Sequence, residues 1–591
     1  MKKLHILLFA LIALTCSYVF FPNPADNVMA RMDLIYSIVY RDSLNIDGYR
    51  ENTIDAARKD GHYYYSGGPG TVFPGAAILY AYKTLSGDNN PNPYNSVPLR
   101  IITILLVSLP AAALAVMLFA FLGYFTAAVR DRLALTLAFS FGTLAFPYST
   151  LFYTYLPALA LCFGAFLIAE RFRRKDAFPN WAVFVSGFML AYAFICSFDC
   201  IMITAPMAAY IFFSLKDKNK IVFFLLGAIP PAVALLVYNR ACFGSLLTVG
   251  IFHMNQPEWA ITGNRFARRL LSPQPIKILT TAALPGQGIF WLSPFLLFSI
   301  PGFAAMFRDK DLRARAALFL AVAALYLLAN SAFPVAWQGG FAVRPRYMTP
   351  AMIFLAVPAF FQLRRSGVFG RYLFFTLTAV SIFHFFTFVF TDPHVPESIS
   401  NSVYAYCLPL FIEGYTTQNV GNALGLHGPA STLPLFAIAA VLIFDMIKSE
   451  KRDNAAAGRF SATALIASVT VGVLFVAVSF RLSDYSARTA AVNRGVACLR
   501  NHVYQSAAAE FSRALESPDE RGFDTLLFYR GTAFEKSGDY AGALSDYESA
   551  LRINPLRTDA RIAAERIAEM IIDGNSAERN PQNPAMDNSR K

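Results

Sequence analysis

Apolar runs about the length of a membrane crossing alternate with short polar connections from the N-terminus to about residue 480, and then the pattern changes. A spanning helix takes roughly 20 mainly apolar residues, within about 17–25. Thirteen segments meet or approach that length: 4–21, 99–122, 132–148, 150–170, 181–197, 199–215, 221–238, 288–306, 314–333, 349–364, 371–391, 432–447 and 460–480. The pattern predicts an all-α, polytopic helical membrane protein. Lys2-Lys3 followed by Leu4–Phe21 has the outline of a signal peptide. No small-x-small cleavage site follows, so it reads as an uncleaved first helix.

The polar connections set an orientation. With the N-terminal lysines in the cytoplasm, strict alternation puts Arg130–Arg132, Arg171–Lys175, Lys216–Lys220, Arg308–Arg315, Arg364–Arg371 and Lys448–Arg459 on the same side. Each is short and rich in Lys or Arg, as cytoplasmic loops are. Four longer connections, 22–98, 239–287, 334–348 and 392–431, fall on the outer face. An odd helix count sends the chain after about Asp484 there too. The predicted division is a transmembrane domain 1–483 and an outer, polar helical region 484–573. The tail 574–591 is Asn/Pro-rich, and its composition predicts disorder.

The polar region repeats. Gly495, Ala507, Phe511 and Ala514 recur 36 residues later as Gly531, Ala543, Tyr547 and Ala550. With Phe534 and Pro555, these are tetratricopeptide positions: small residues let two antiparallel helices close up, and an aromatic fills the gap. Two repeats and a capping helix near Asp559–Ile572 fall short of the usual three, which predicts support from the membrane domain or a partner.

Composition agrees. Of 591 residues, 56% are hydrophobic and 15% charged, against roughly 25% charged in a soluble domain, and the mean hydropathy is +0.44. The net charge of +13 is accounted for by the basic loops, so nucleic acid is not an expected partner. Seven cysteines show no CxxC or Cys/His spacing, which leaves no disulfide framework and no metal site. Cys16 follows a poor lipobox. Ionisable residues near membrane midplanes, the mark of ion-coupled transport, are few. Asp199 reads as a turn residue at the outer surface, and Glu170, beside Arg171 at a cytoplasmic helix end, as pairing locally.

The outer loop 22–98 carries the densest chemistry. Val28, Met32, Ile35 and Val39 have helical spacing, on a surface helix that presents Arg31, Asp33 and Asp42. Asp60–Gly70, DGHYYYSGGPG, has the glycines and proline of a tight turn beside a ligand. Tyr63–Tyr65 suit either sugar stacking or an interfacial aromatic belt.

Taken in order, NIDGY (Asn45–Tyr49), NTID (Asn52–Asp55) and DGHYYYSGGPG resemble the first periplasmic loop of bacterial GT-C type glycosyltransferases. That class includes protein mannosyltransferases and lipid A aminoarabinose transferases. Tyr238-Asn239 with Phe243-Gly244-Ser245, Gly288–Pro294, and Trp337–Gly340 with Arg344–Tyr347 extend the resemblance over residues 20–350. It implies a polyprenyl-phosphate sugar donor and an inverting displacement. It also implies a multi-pass protein of the bacterial inner membrane with its site facing the periplasm. A carboxylate would take the acceptor's proton, and cationic groups would meet the departing phosphate.

On that resemblance Asp47 and Asp55 are the candidate bases, ahead of Asp33 and Asp60. Each also has an ordinary role open to it as a helix or turn cap, and for Asp60 before Gly61 the turn is favoured. Arg344 and Arg346 are candidates for the phosphate, with lipid headgroups as the ordinary alternative. His62, Tyr64 and Trp337 complete the expected substrate contacts. Relatives with this loop often carry a lysine just before the Pro-Gly, where this chain has Gly67-Gly68. Arg344, Arg346 or the Arg265/Arg268/Arg269 cluster would have to supply that charge. No cofactor signature is present, although some relatives need a divalent cation. The expected partners are the lipid-linked sugar, membrane lipids, and a protein or acceptor held by the repeats. The rival readings are an oligosaccharide ligase or polymerase, an envelope-assembly scaffold working through the repeats, and a transporter.

Overall fold

The computed structural model describes residues 2–21, 24–174, 178–255, 272–332, 339–340, 342–395, 399, 401–450, 462–481, 487–500, 502–518, 520 and 522–578. They are mostly helical and fall into two compact units, one of residues 1–403 and 416–482, the other of 404–415 and 483–591.

In the first unit a helix lies under every one of the thirteen apolar segments. Among the described residues, six helices are long and apolar enough to cross a membrane: Ser96–Leu122, Tyr155–Arg173, Lys218–Phe243, Arg313–Ala332, Val368–Phe390 and Gly428–Met446. Others are shorter for visible reasons. The 132–148 run breaks after Phe141, where Gly142 leaves helical geometry, and the next long helix begins only at Tyr155. The 288–306 run is cut at Ser293-Pro294 into Ile289–Leu292, Pro294–Phe298 and Ser299–Arg308. Exposure follows the same logic. Val222, Leu225, Ile229, Val233 and Val237 form an exposed stripe at helical spacing along Ile221–Phe243. Such a stripe would be unfavourable in water and is ordinary against lipid.

Glu170 is not paired with its neighbour Arg171. It is fully buried, and its Oε2 accepts from Arg315 Nε (2.9 Å) and Nη2 (2.7 Å). Tyr210 donates to Oε1, and Arg173 Nε lies 3.5 Å from it. The local pair, with Arg173, is one part of a clamp between the Tyr155–Arg173, Ile201–Ser214 and Arg313–Ala332 helices. A buried carboxylate needs several strong donors, and Arg171, which is exposed, cannot reach in to supply them.

The second unit is built as the repeat predicts. Helices Ala487–Arg500 and Tyr504–Leu515 form one antiparallel pair, Phe523–Ser537 and Tyr540–Ile553 the next, and Thr558–Glu578 caps them. Ala507, Phe511, Ala514, Ala543, Tyr547 and Ala550 are buried. A Cβ on Gly495 would meet the Phe511 ring at 2.7 Å, and one on Gly531 would meet Tyr547 at 2.8 Å, so both positions need glycine for the helices to close. Asp546 takes two 2.8 Å bonds from Arg530 across the second pair. The stretch Tyr404–Tyr415 also belongs to this unit, with Asn493 Nδ2 donating to Ala405 O at 2.6 Å.

Candidate functional site

The polar loop after the first helix is folded. Its helix Asp26–Arg41 buries Val28 to Ser37 almost continuously. The stretch expected to be a loop is a hairpin, Ala56–Lys59 against His62–Tyr65, with Ala56 opposite Tyr65 and Lys59 opposite His62. Asp60 (φ 52°) and Gly61 (φ 88°) make the two-residue turn. Positive φ at both positions is what a tight hairpin requires, so Asp60 is a turn residue.

The hairpin separates the two candidate carboxylates. Asp47 sits near the turn end, where His62 Nδ1 lies 2.6 Å from its Oδ2 and Tyr63 N donates to its Oδ1 at 2.6 Å. This pair is well exposed, at 56% for the His62 side chain and 35% for Asp47. Asp55 sits at the open end, half-buried, and accepts from Ser66 Oγ at 2.7 Å. Three residues of strand, roughly 10 Å, separate the two ends. Asp47 and His62 pin a turn, while the half-buried Asp55 carboxylate holds Ser66 at the other end. Tyr64 leans edge-on against Phe243, with ring centroids 5.4 Å apart.

Beside Asp55, Tyr65 begins a chain of arginines and tyrosines. Arg31 Nε donates to Tyr65 Oη at 2.8 Å, and Nη1 donates to Phe152 O. The Arg31 guanidinium lies 5.6–5.9 Å from the ring centres of Tyr65, Phe152 and Tyr153. Tyr153 in turn accepts from Arg346 Nη1 at 3.4 Å, and Arg346 Nη2 donates to Tyr347 Oη at 3.1 Å. Arg346 Nε is buried with no acceptor. Among the described residues no carboxylate lies within 4 Å of Arg31 or Arg346. Burial pushes the Tyr65 phenol up, so it stays neutral and is no counter-ion.

Glycines allow these approaches. A Cβ at Gly70 would meet Cys196 N at 2.6 Å, and Tyr192 Oη donates to Gly70 O at 2.8 Å. The GGPG run therefore lets the loop close onto the end of the Asn180–Cys196 helix, a packing role where a ligand turn was expected. At Gly339 (φ 112°) a Cβ would meet Arg346 Cγ at 2.5 Å, so glycine here leaves room for that arginine.

The other expected contacts fall in different places. Arg344 is buried and donates through Nη2 to Ile399 O at 2.5 Å. Trp337 and the Arg265/Arg268/Arg269 cluster lie outside the described residues. Asp33 is fully buried, accepts from Asn52 Nδ2 at 2.9 Å, and leaves Oδ2 without a partner. Burial raises its carboxyl to about 7. Tyr153 went unread in the sequence because it sits inside an apolar run; the cue was the tyrosine spacing of Tyr148, Tyr153 and Tyr155. Among the described residues no three His, Cys, Asp or Glu side chains are placed to hold a metal.

A mostly helical chain with helices long and apolar enough to cross a membrane, a folded polar loop and a C-terminal repeat unit is the class these features define. Residues 525–557 match the tetratricopeptide repeat family, and such repeats commonly mediate protein–protein contacts. No curated protein matches the chain.

Proposed function

We propose that the protein is a membrane glycosyltransferase that moves a sugar from a polyprenyl phosphate to an envelope lipid, glycan or protein. The carrying observation is the pair Arg31 and Arg346, packed around Tyr153 with no carboxylate partner among the described residues. Taking a cation out of water without a counter-charge costs several kcal/mol, so such a pair suits an anionic ligand. Guanidinium groups match phosphate geometry. In this reading Arg31 and Arg346 hold the lipid phosphate and stabilise the charge it gains on leaving. Asp55, at the adjoining hairpin end, takes the proton from the acceptor hydroxyl as it attacks the anomeric carbon. Arg31 and Arg346 supply the charge that the missing lysine gives relatives.

The topology belongs to the same proposal: thirteen crossings in the bacterial inner membrane, the N-terminus inside, and the loops and repeats facing the periplasm. The arginine ladder supports it, as does the inclusion of 404–415, from an outer connection, in the repeat unit. The test is turnover. Purified full-length protein is incubated with polyprenyl-phosphate sugars from bacterial membranes plus polar envelope lipids, and sugar loss from the carrier is read by mass spectrometry. Enzyme-dependent loss, absent in Asp55→Asn, supports the reading. Intact carrier with every acceptor fraction contradicts it. The repeat match favours one second reading, a scaffold that gathers envelope enzymes through residues 487–578.

A further inference from the structure

A second concentration of arginine lies at the end of the first unit that carries the short basic connections. Arg173, Arg174, Arg315, Arg364 and Arg365 line a cavity of about 500 Å³, well within the range of small-molecule sites. They come from the ends of two helices, Tyr155–Arg173 and Met352–Arg365, and from the start of a third, Arg313–Ala332. A basic belt alone would splay its side chains toward solvent. Here Glu170 holds Arg315 and Arg173 from beneath, and Arg174 lies 4.3 Å from the centre of the Tyr124 ring. Arg364 and Arg365 are exposed at the rim. Asp309 and Asp311 also line the cavity. Yet among the described residues no carboxylate lies within 4 Å of Arg174, Arg364 or Arg365. Five guanidiniums face two lining aspartates and one buried glutamate, leaving the cavity net positive. Phe125 and Phe361, 5.1 Å apart, give it an apolar wall.

We infer that this cavity binds a phosphate-bearing anion. Several guanidinium forks converging on one space are the chemistry that recognises phosphate oxygens bidentately. The phosphate belongs either to an anionic lipid headgroup or to a soluble diphosphate. Arg364 and Arg365 contact it at the rim, and Arg174 from the wall. This site is separate from Arg31 and Arg346 and does not depend on the transferase reading.

The experiment uses the full-length protein and the variant Arg364→Gln/Arg365→Gln, which leaves Arg173, Arg315 and Glu170 in place. Arg174→Gln serves as an independent second variant. Native mass spectrometry from nanodiscs of mixed phosphatidylglycerol and phosphatidylcholine reads lipid retention. Titration with inorganic pyrophosphate in neutral detergent reads the soluble ligand. The expected result is selective retention of phosphatidylglycerol, or binding of pyrophosphate that weakens with salt. Either should fall about tenfold or more in both variants. Phosphatidylglycerol retention without pyrophosphate binding assigns the lipid; the reverse assigns the soluble anion. Binding of neither, or binding unchanged in both variants, overturns the inference.

Discussion

Two arginine centres in the first unit, each with one buried and one half-buried arginine, are built on opposite principles. Around Glu170, Arg315 and Arg173 meet a carboxylate that also accepts from Tyr210, so the charges close on one another. Around Tyr153, Arg31 and Arg346 meet only neutral oxygens and aromatic faces. Closed charge networks hold helices together. Open ones retain a desolvation cost that only something from outside relieves. The contrast supports a structural role for the Glu170 centre and the proposed binding role for the Tyr153 centre.

The largest effect should come at the hairpin ends. Asp55→Asn is expected to lower turnover by about 10²–10⁴-fold, the usual contribution of a positioned base, with the folded state intact. Asp47→Asn should leave turnover within a few-fold, because its carboxylate pins a turn. Equal losses in both would erase the distinction between the two ends.

Next comes stability at the arginine centres. Glu170→Gln leaves the buried Arg315 without a counter-charge and should destabilise the protein by about 3–5 kcal/mol, read as a large fall in thermal midpoint. Arg346→Gln should leave the midpoint unchanged or raise it, while weakening retention of polyprenyl phosphate. A fall in stability matching that of Glu170→Gln would break the comparison.

Asp33 tests the same principle through pH. Its folded carboxyl, at about 7, lies above the unfolded value of about 3.9. The folded state therefore holds the extra proton between these limits. Stability is greatest below about pH 4, declines as pH rises toward 7, and is flat above. The raised value corresponds to a change on the order of 4 kcal/mol. Asp33→Asn should remove this slope and be the more stable protein at pH 8, as read by thermal midpoints from pH 4 to 8. A slope that survives the substitution would assign the pH dependence elsewhere.

The smallest effect concerns the repeats. Gly531→Val would drive a side chain into Tyr547 and should cost about 1–3 kcal/mol, visible as loss of helical signal at lower temperature. An unchanged transition would mean the two helices do not need their close approach.

The chain's own pattern made some of this legible and hid the rest. The repeat helices were readable because their small and aromatic positions recur at a fixed spacing, and Gly531 and Tyr547 meet as that spacing requires; the Tyr404–Tyr415 stretch that joins them carries no such repeat. The helices were readable as apolar runs, but not where they break, since Gly142 and Ser293-Pro294 interrupt runs that stay apolar on both sides. Asp60-Gly61 was legible as a turn. The hairpin behind it was not, because three consecutive tyrosines have no polar alternation. The candidate site was half legible. Asp55 and Arg346 stood out as charges in outer loops. Tyr153 was concealed in an apolar run, and Arg31 was one charge on a surface helix until folding placed it beside Tyr65 and Tyr153. Glu170's local partner was legible, but Arg315 was not, because it lies 145 residues away.

The account rests on Arg31 and Arg346 holding a lipid-linked phosphate. Native mass spectrometry of the full-length Asp55→Asn protein, purified in mild detergent, tests this most directly. The prediction is a co-purifying or added polyprenyl phosphate, free or glycosylated, that is retained here and lost in Arg31→Gln/Arg346→Gln. No polyprenyl lipid in either protein even after addition, or equal retention in both, would contradict it.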